Sequence, residues 1–460
     1  MFSYMKQEQG FYKNVARLAM PIVLQNIVVT FVGLIDTIMV SWLKDDAIIA
    51  GVNLANLPVF VVQLLVFGLM SGSSVLISQY WGKGDEENIS RVIGIGWYIA
   101  GAVSLIFALI MLFTPATIMS LLTNEPRLVE IACDYAQPIG VSYFFTSIAG
   151  VFTGAQRSME NPKFGLYTSS VSIVLNLIFN YMFIFGNWGA PRWEVFGAAF
   201  ATLLARMGEL VVVVIYIVYN KRFRLNIRRV LRPGKELVAR YVKYATPVIV
   251  NETLWGLGFS MYQVVMGHME NATEILAAYS VSGNLEKLFG VFMFGLGNTA
   301  AVIIGKEVGA GRIDTVFQKG KALGTSAMLL GAVLGVGIAV TTKTFFEPFV
   351  YPVFALTPLS CEIATMMMLM AAAQMPLRAF NNCNIVGILR GGGDVKGSML
   401  VDVVPLWGFA VPAAVLCGNV LGLGIFWVTA VHWAENAIKF FWGQKRLRAG
   451  QWIRDVTVSN

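Results

Sequence analysis

The feature that most constrains this chain is a succession of long apolar segments. Breaks at charged or Gly/Pro/Asn clusters leave about twelve of them. They run from 15 to 42, 51 to 78, 92 to 114, 131 to 154, 164 to 187, 195 to 219, 241 to 267, 275 to 304, 322 to 342, 361 to 389, 397 to 420 and 422 to 443. A helix needs roughly 20 apolar residues to cross the hydrocarbon core of a bilayer. Lipid cannot satisfy backbone groups, and segments this long and continuous suit helices rather than the alternating strands of a barrel. The expected fold class is therefore all-α, a polytopic membrane protein of about 12 transmembrane helices. Composition excludes a water-soluble globule: 57% of the 460 residues are hydrophobic and 13% charged, against roughly 25% charged in soluble domains. The polar stretch Met1 to Arg17 precedes an apolar run too long for a signal peptide, so no cleaved leader is expected.

The net charge of +8 would suit nucleic acid, but the distribution of the 34 Lys and Arg argues for a membrane surface instead. Sorted by connection, 27 fall on the side of the two termini, four in the opposite loops (Lys44, Arg127, Arg192, Lys343) and three within apolar spans (Arg206, Lys287, Arg378). The positive-inside bias then places both termini in the cytoplasm, with an even helix count and basic loops against anionic headgroups of the plasma (inner) membrane. Membrane lipids are the expected surroundings, nucleic acid is not a partner, and a monomer is expected.

The longest basic connection, Asn220 to Lys243, carries nine of those residues at mid-chain and separates two related halves. R-L-A-M-P at Arg17 to Pro21 is answered by K-Y-A-T-P at Lys243 to Pro247, an offset of 226. With a one-residue slip, Gly68-Leu69 answers Gly295-Leu296, and Gly82-Lys83-Gly84 answers Gly309-Ala310-Gly311. Later, Gly154…Arg157…Lys163 matches Gly387…Arg390…Lys396 at an offset of 233. The expected organisation is an N-terminal six-helix lobe over 1–219, a linker over 220–243 and a C-terminal six-helix lobe over 244–460. Units with an even number of spans repeat in parallel, which suits two lobes rocking about a midplane site by alternating access. Pro21 and Pro247 occupy matching places and are candidate bending points.

An ionisable group in hydrocarbon is costly and needs a reason. Asp36, in G-L-I-D-T on the first span, has no adjacent Lys or Arg and has apolar residues on both sides, and Gln25 shares its face three turns earlier. The fifth span carries Ser172, Asn176 and Asn180 at helical spacing, and the sixth carries Thr202. Convergence of these groups would surround one carboxylate with neutral oxygen donors, a place for a proton or a small hard cation such as Na⁺ at Asp36. The other reading is that Asp36 accepts hydrogen bonds from a neighbouring helix. On the seventh span Glu252 shares a face with Trp255, Phe259 and Gln263. An acid beside aromatic rings suits a lipophilic organic cation, unless Glu252 pairs internally with Arg378, Lys287 or another base. Arg206 and Glu209, three residues apart, are expected to form an ion pair. Asp402 and Glu435 are expected near the cytoplasmic side, solvated, with Asp402 a weaker relay candidate.

Enzymatic readings lack residues. Cys133, Cys361, Cys383 and Cys417 are scattered without C-x-x-C spacing, and only His268 and His432 are present. No H-E-x-x-H, P-loop or G-x-S-x-G occurs. Gly295 to Ala300 formally fits G-x-G-x-x-A, but it lies inside an apolar helix and reads as a packing motif. No cofactor is expected beyond a coupling ion.

Over essentially its whole length the chain resembles the multidrug and toxic compound extrusion (MATE) family. The resemblance rests on Pro21, Gln25, Asp36 and Thr37 of the first span, Gln79 to Asp85 (Q-Y-W-G-K-G-D), Gly154 to Pro162 (G-A-Q-R-S-M-E-N-P), the Asn176/Asn180 pair and Glu252. It implies twelve helices in two six-helix lobes and efflux of cationic, amphipathic compounds in exchange for Na⁺ or H⁺. It also implies a cation site of Asp36, Asn176, Asn180 and Thr202, with Glu252 the acid of the C-terminal lobe. Members resembling the NorM branch pair that acid with an Asp on helix ten, where this chain reads Arg378-Ala379-Phe380-Asn381-Asn382, so that Arg378 is a candidate charge partner of Glu252. Archaeal-type members carry Asp where this chain has Asn180. The alternative is a flippase for lipid-linked saccharides of the same broad superfamily, which Arg206, Lys287 and Arg378 would favour.

Overall fold

The structure is a computed structural model that describes residues 3–43, 45–354 and 356–458, excluding the side chains of residues 3, 32–34, 36, 37, 41 and 46. Lys44 therefore lies outside the described residues, as do the side chains of Asp36 and Thr37. Fifteen helices are described: α1 (Phe11–Ser41), α2 (Asp46–Lys83), α3 (Glu86–Phe113), α4 (Pro115–Ser120), α5 (Pro126–Ser158), α6 (Pro162–Phe185), α7 (Glu194–Tyr219), α8 (Ile227–Leu231), α9 (Lys235–Gly267), α10 (Ala272–Gly309), α11 (Ile313–Thr341), α12 (Pro358–Asn382), α13 (Val395–Pro405), α14 (Val411–Val415) and α15 (Ile425–Ala449). The fold is all-α and polytopic. Among the described residues the only β pairing is an isolated bridge between Gly393 and Ile453.

Sequence chemistry sets the boundaries. Asp45 caps α2 by accepting the Ala47 amide at 2.9 Å, and Asp85 caps α3 by accepting that of Asn88 at 3.0 Å. Each cap satisfies an amide that the helix itself cannot. Proline opens α4, α5, α6 and α12, where its missing N–H costs nothing. Among the described residues ten helical stretches are long and apolar enough to cross a membrane. They include α12 continued to Leu389, and one span over Val395–Val420 that joins α13 and α14 through π-helical turns. Helices α9 and α15 do not reach that standard; both carry polar and charged residues, among them Asn251, Glu252, Glu435 and Lys439. With those two, the helices match the twelve apolar segments.

The chain groups into two compact units, one of Leu24–Ile249 and the other of Met1–Val23 with Val250–Asn460. These bounds differ from the expected division at residues 219 and 244. Helices α1 and α9 each begin in one unit and end in the other, changing at Val23 and Ile249. Pro21 and Pro247 each lie two residues before the change, where the helix lacks a backbone hydrogen bond. The two changes are 226 residues apart, the offset of the repeat.

In the unit Leu24–Ile249, Ala55, Val59, Val66, Phe107, Met111 and Ile139 form one apolar core. The first half of α9 belongs here. The Tyr241 hydroxyl meets that of Ser73 at 2.8 Å, and a Cβ on Gly72 would sit 2.7 Å from the Ala245 backbone. In the other unit the opening turns of α1 (Phe11, Val15, Leu18) pack with Leu296, Ile304 and Phe380. The residues after α15 are also part of this core. Trp452 and Val456 are fully buried, and the Arg454 amide donates to the Gly392 carbonyl at 2.7 Å. A Cβ on Gly392 would lie 2.3 Å from the Trp452 ring, and Gly393 has a φ of +96°. Both positions therefore require glycine.

Candidate functional site

Helices α1, α2, α5, α6 and α7 enclose a cavity of about 350 Å³ within the unit Leu24–Ile249. Its wall mixes Val29, Val40, Val52 and Ile139 with Asn53, Asn56, Tyr143, Thr146, Asn180 and Thr202. Arg206 also lines it and pairs with Glu209 at 2.8 Å, as their spacing implied. Behind the polar wall runs a chain of hydrogen bonds. The Asn180 amide donates to the Asn176 carbonyl oxygen at 3.2 Å. Asn176 in turn donates to the Thr202 hydroxyl at 3.1 Å, and Thr202 donates to the Ala198 carbonyl at 3.1 Å. Asn176 and Asn180 are buried, so this order holds their polar atoms in fixed orientations. Gln25 donates to the Ser169 hydroxyl at 2.9 Å. Gly165 admits that contact, since a Cβ there would stand 2.8 Å from the Gln25 side-chain oxygen.

The other unit contains a second polar concentration. Glu252 is buried and pairs with Arg390 at 2.6 Å. Lys439, also buried, lies between two carboxylates, 2.7 Å from Asp402 and 2.6 Å from Glu435. Asn251 donates to Asp402 at 3.1 Å, and the Tyr262 hydroxyl donates to Glu435 at 3.4 Å. His432 Nδ1 stands 3.1 Å from Glu435. Trp255 and Phe259 pack with ring centroids 4.6 Å apart, and Phe259 meets the His432 ring at 5.7 Å.

A family model named MatE matches residues 21–182 and again 247–422, one copy in each half. The chain belongs to the MatE family. It is thus a membrane transporter and not an enzyme, and the two matches begin at Pro21 and Pro247, the paired prolines of the repeat. Relatives include the uncharacterized transporter YisQ of Bacillus subtilis, 22% identical, with 95% of this chain and 94% of YisQ aligned. The probable multidrug resistance protein YoeA of the same organism is 23% identical, with 96% of each chain aligned. Among solved structures, a MOP superfamily transporter from Pyrococcus furiosus, described as having a binding pocket of reverse polarity, has a TM-score of 0.84 at 19% identity over 98% of each chain. An outward-facing multidrug resistance MATE family transporter has a TM-score of 0.82 at 19% identity, covering 97% of this chain and 99% of that one. These structures share the MatE fold.

The geometry assembles some of the residues named from sequence and separates others. Asn176, Asn180 and Thr202 come together. Gln25 is engaged with Ser169 and is not among the cavity-lining residues described. The Asp36 side chain lies outside the described residues. Trp255 and Phe259 pack together at a tilt and are half-buried, while Gln263 is exposed. Arg378, the candidate partner of Glu252, pairs instead with Glu286, and Arg390 takes the Glu252 position. Asp402 and Glu435, expected to be solvated, are buried against Lys439. An ammonium within the unit, rather than water alone, faces both carboxylates. Sequence reasoning missed Arg390, Lys439, His432 and the α2 asparagines. Glu435 and Lys439 stand at i, i+4, a spacing that favours contact on one helix face. That was the signal available.

Proposed function

We propose that this protein is a secondary antiporter that exports cationic, amphipathic compounds in exchange for Na⁺ or H⁺ by alternating access of two six-helix lobes. The observation that carries the reading is the ordered Asn180–Asn176–Thr202 chain beside a cavity large enough for a small organic molecule. Positions 29, 36 and 40 of α1 recur at helical spacing, and Val29 and Val40 both line that cavity. Asp36 is the coupling acid in this reading, with Asn176, Asn180 and Thr202 supplying neutral donors and acceptors. A carboxylate in apolar surroundings binds a proton or Na⁺ more readily than one in water. Its neutralisation changes which conformation is favoured. In the unit containing Val250–Asn460, Glu252, Trp255 and Phe259 receive the organic cation, which takes the place that Arg390 holds beside Glu252, and Gln263 adds a polar contact; in the unit Leu24–Ile249 the proposed polar contact is Gln25. Relatives named as probable multidrug resistance proteins agree with such cargo. Both termini face the cytoplasm, from the distribution of Lys and Arg.

A second reading is a flippase for lipid-linked saccharides, with Arg206 at the cavity wall meeting an anionic phosphate. The reverse-polarity pocket described for the Pyrococcus furiosus relative is the comparison that favours it. Purified protein in proteoliposomes separates the two when Na⁺ and proton gradients are imposed in turn and ethidium movement is followed. Gradient-driven ethidium efflux that Asp36→Asn abolishes supports the antiporter. Full efflux by that variant refutes the role of Asp36, and absence of ethidium movement under both gradients removes the antiporter reading.

A further inference from the structure

We propose that the unit containing Val250–Asn460 carries a proton-binding site of its own, formed by His432 and Glu435 and held in place by Lys439 and Asp402. The inference deepens the antiporter reading and rests on it for its role in transport, though not for its chemistry. Among the described residues, other buried ion groups have at least one base for each acid: Glu252 with Arg390, Glu307 and Glu8 with Lys319 and Arg312, and Asp394 with Arg446 and Arg454. Around Lys439 the ratio differs, because two carboxylates, Asp402 and Glu435, share one ammonium. The side chains of Glu435 and Lys439 are 2% and 6% exposed, that of Asp402 12%. With a neutral imidazole the four-residue group carries one surplus negative charge in a place where net charge is expensive. One proton on His432 cancels it.

The hydrogen-bond geometry leaves a defined seat for that proton. Glu435 Oε1 is taken by Lys439 at 2.6 Å. Its Oε2 faces His432 Nδ1 at 3.1 Å and accepts from the Tyr262 hydroxyl. Asp402 Oδ1 accepts from Lys439, and its Oδ2 from Asn251. A carboxylate only accepts, so Nδ1 carries hydrogen whichever form the ring takes. The added proton therefore resides on Nε2. The Phe259 and Tyr262 rings pack nearly perpendicular to the imidazole, with centroids 5.7 and 5.4 Å away, and hold its orientation. The His432 side chain, 18% exposed, is the most accessible of the four and is the group that exchanges the proton. Further charges bear on it from neighbouring helices: Arg378 of α12 is within electrostatic reach of Glu435, and it is itself balanced by Glu286 of α10. Glu252 of α9, the nearest acid in sequence to Asn251, is already answered by Arg390. A metal ion is a poor alternative, because the Lys439 ammonium occupies the space between the carboxylates.

The site is tested on the full-length protein carrying His268→Gln, which removes the exposed second imidazole. His432 is then the sole histidine and is followed by NMR of the labelled ring during a pH titration. An opposite charge at this distance changes proton affinity by at least tenfold, so Glu435→Gln should weaken proton binding at His432 tenfold or more. That variant leaves Asp402 and Lys439 as a balanced pair and should fold. In proteoliposomes, ethidium efflux driven by a pH gradient should fall at least tenfold in His432→Gln and remain at the wild-type rate in His268→Gln. Unchanged proton affinity in Glu435→Gln overturns the site, and full pH-driven efflux by His432→Gln overturns its coupling to transport. If ethidium moves under neither gradient in the wild type, the antiporter reading fails while the imidazole titration still decides the site.

Discussion

Replacing Arg390 with methionine should be among the most disruptive single changes in this protein. Glu252 is 8% exposed and has Arg390 as its ion-pair partner at 2.6 Å. Arg390→Met keeps the length and apolar stem of the side chain but strands the carboxylate. Removing one member of a buried pair costs about 3–5 kcal/mol. Unfolding entropy of roughly 2.1 cal/mol/K per residue amounts to about 1 kcal/mol/K over a chain this long, so the melting temperature should drop by about 3–5 °C. Thermal unfolding of the detergent-purified protein, followed by intrinsic fluorescence, reads this directly. The double variant Glu252→Gln with Arg390→Met leaves neither charge and should recover at least half of the loss. Arg378→Met, which breaks the separate pair with Glu286, should show no such rescue by Glu252→Gln. Strict additivity of Glu252→Gln and Arg390→Met would refute the coupling and with it the assignment of Arg390 as the counter-charge.

Two further expectations follow from packing and hydrogen bonding. Trp452→Ala empties the notch formed at Gly392 and Gly320 and should cost about 3–5 kcal/mol, seen in the same melting assay; an unchanged melting temperature would mean the residues after α15 are not part of the stable core. Asn176→Leu conserves volume but removes the hydrogen bonds that Asn176 makes to Asn180 at 3.2 Å and Thr202 at 3.1 Å, a loss of about 0.5–1.5 kcal/mol each. Ethidium efflux should fall with it, and wild-type efflux would remove the amide chain from the ion path.

Much of the architecture could be read directly, because lipid leaves the backbone few options. Twelve apolar segments became helices, and the offset of 226 reappears both in the two MatE matches and in the two places where α1 and α9 change unit. Asn176 and Asn180 met because residues four apart on a helix share a face, and Thr202 joined them from α7. What could not be read was the direction of charges at the ends of spans. Arg390 and Lys439 counted among cytoplasmic charges by their place in the chain, yet both turn into the protein interior. The partner of Glu252 lies 138 positions away. No local pattern distinguishes Arg390 from Arg378 at that separation. The expectation that Asp402 and Glu435 are solvated failed for the same reason, since the ammonium that shelters them comes from α15.

The exchange of half-helices has a consequence for the chain as a covalent object. Residues 11–18 are anchored among side chains that lie more than 270 positions further on, and the opening turns of α9 are anchored against α2. Cleavage anywhere between Asn220 and Gly234 would give two fragments, each ending or beginning with a piece of the other's interior. Such fragments would have to be made together to be made at all, and once assembled they would stay clasped without the peptide bond that first joined them.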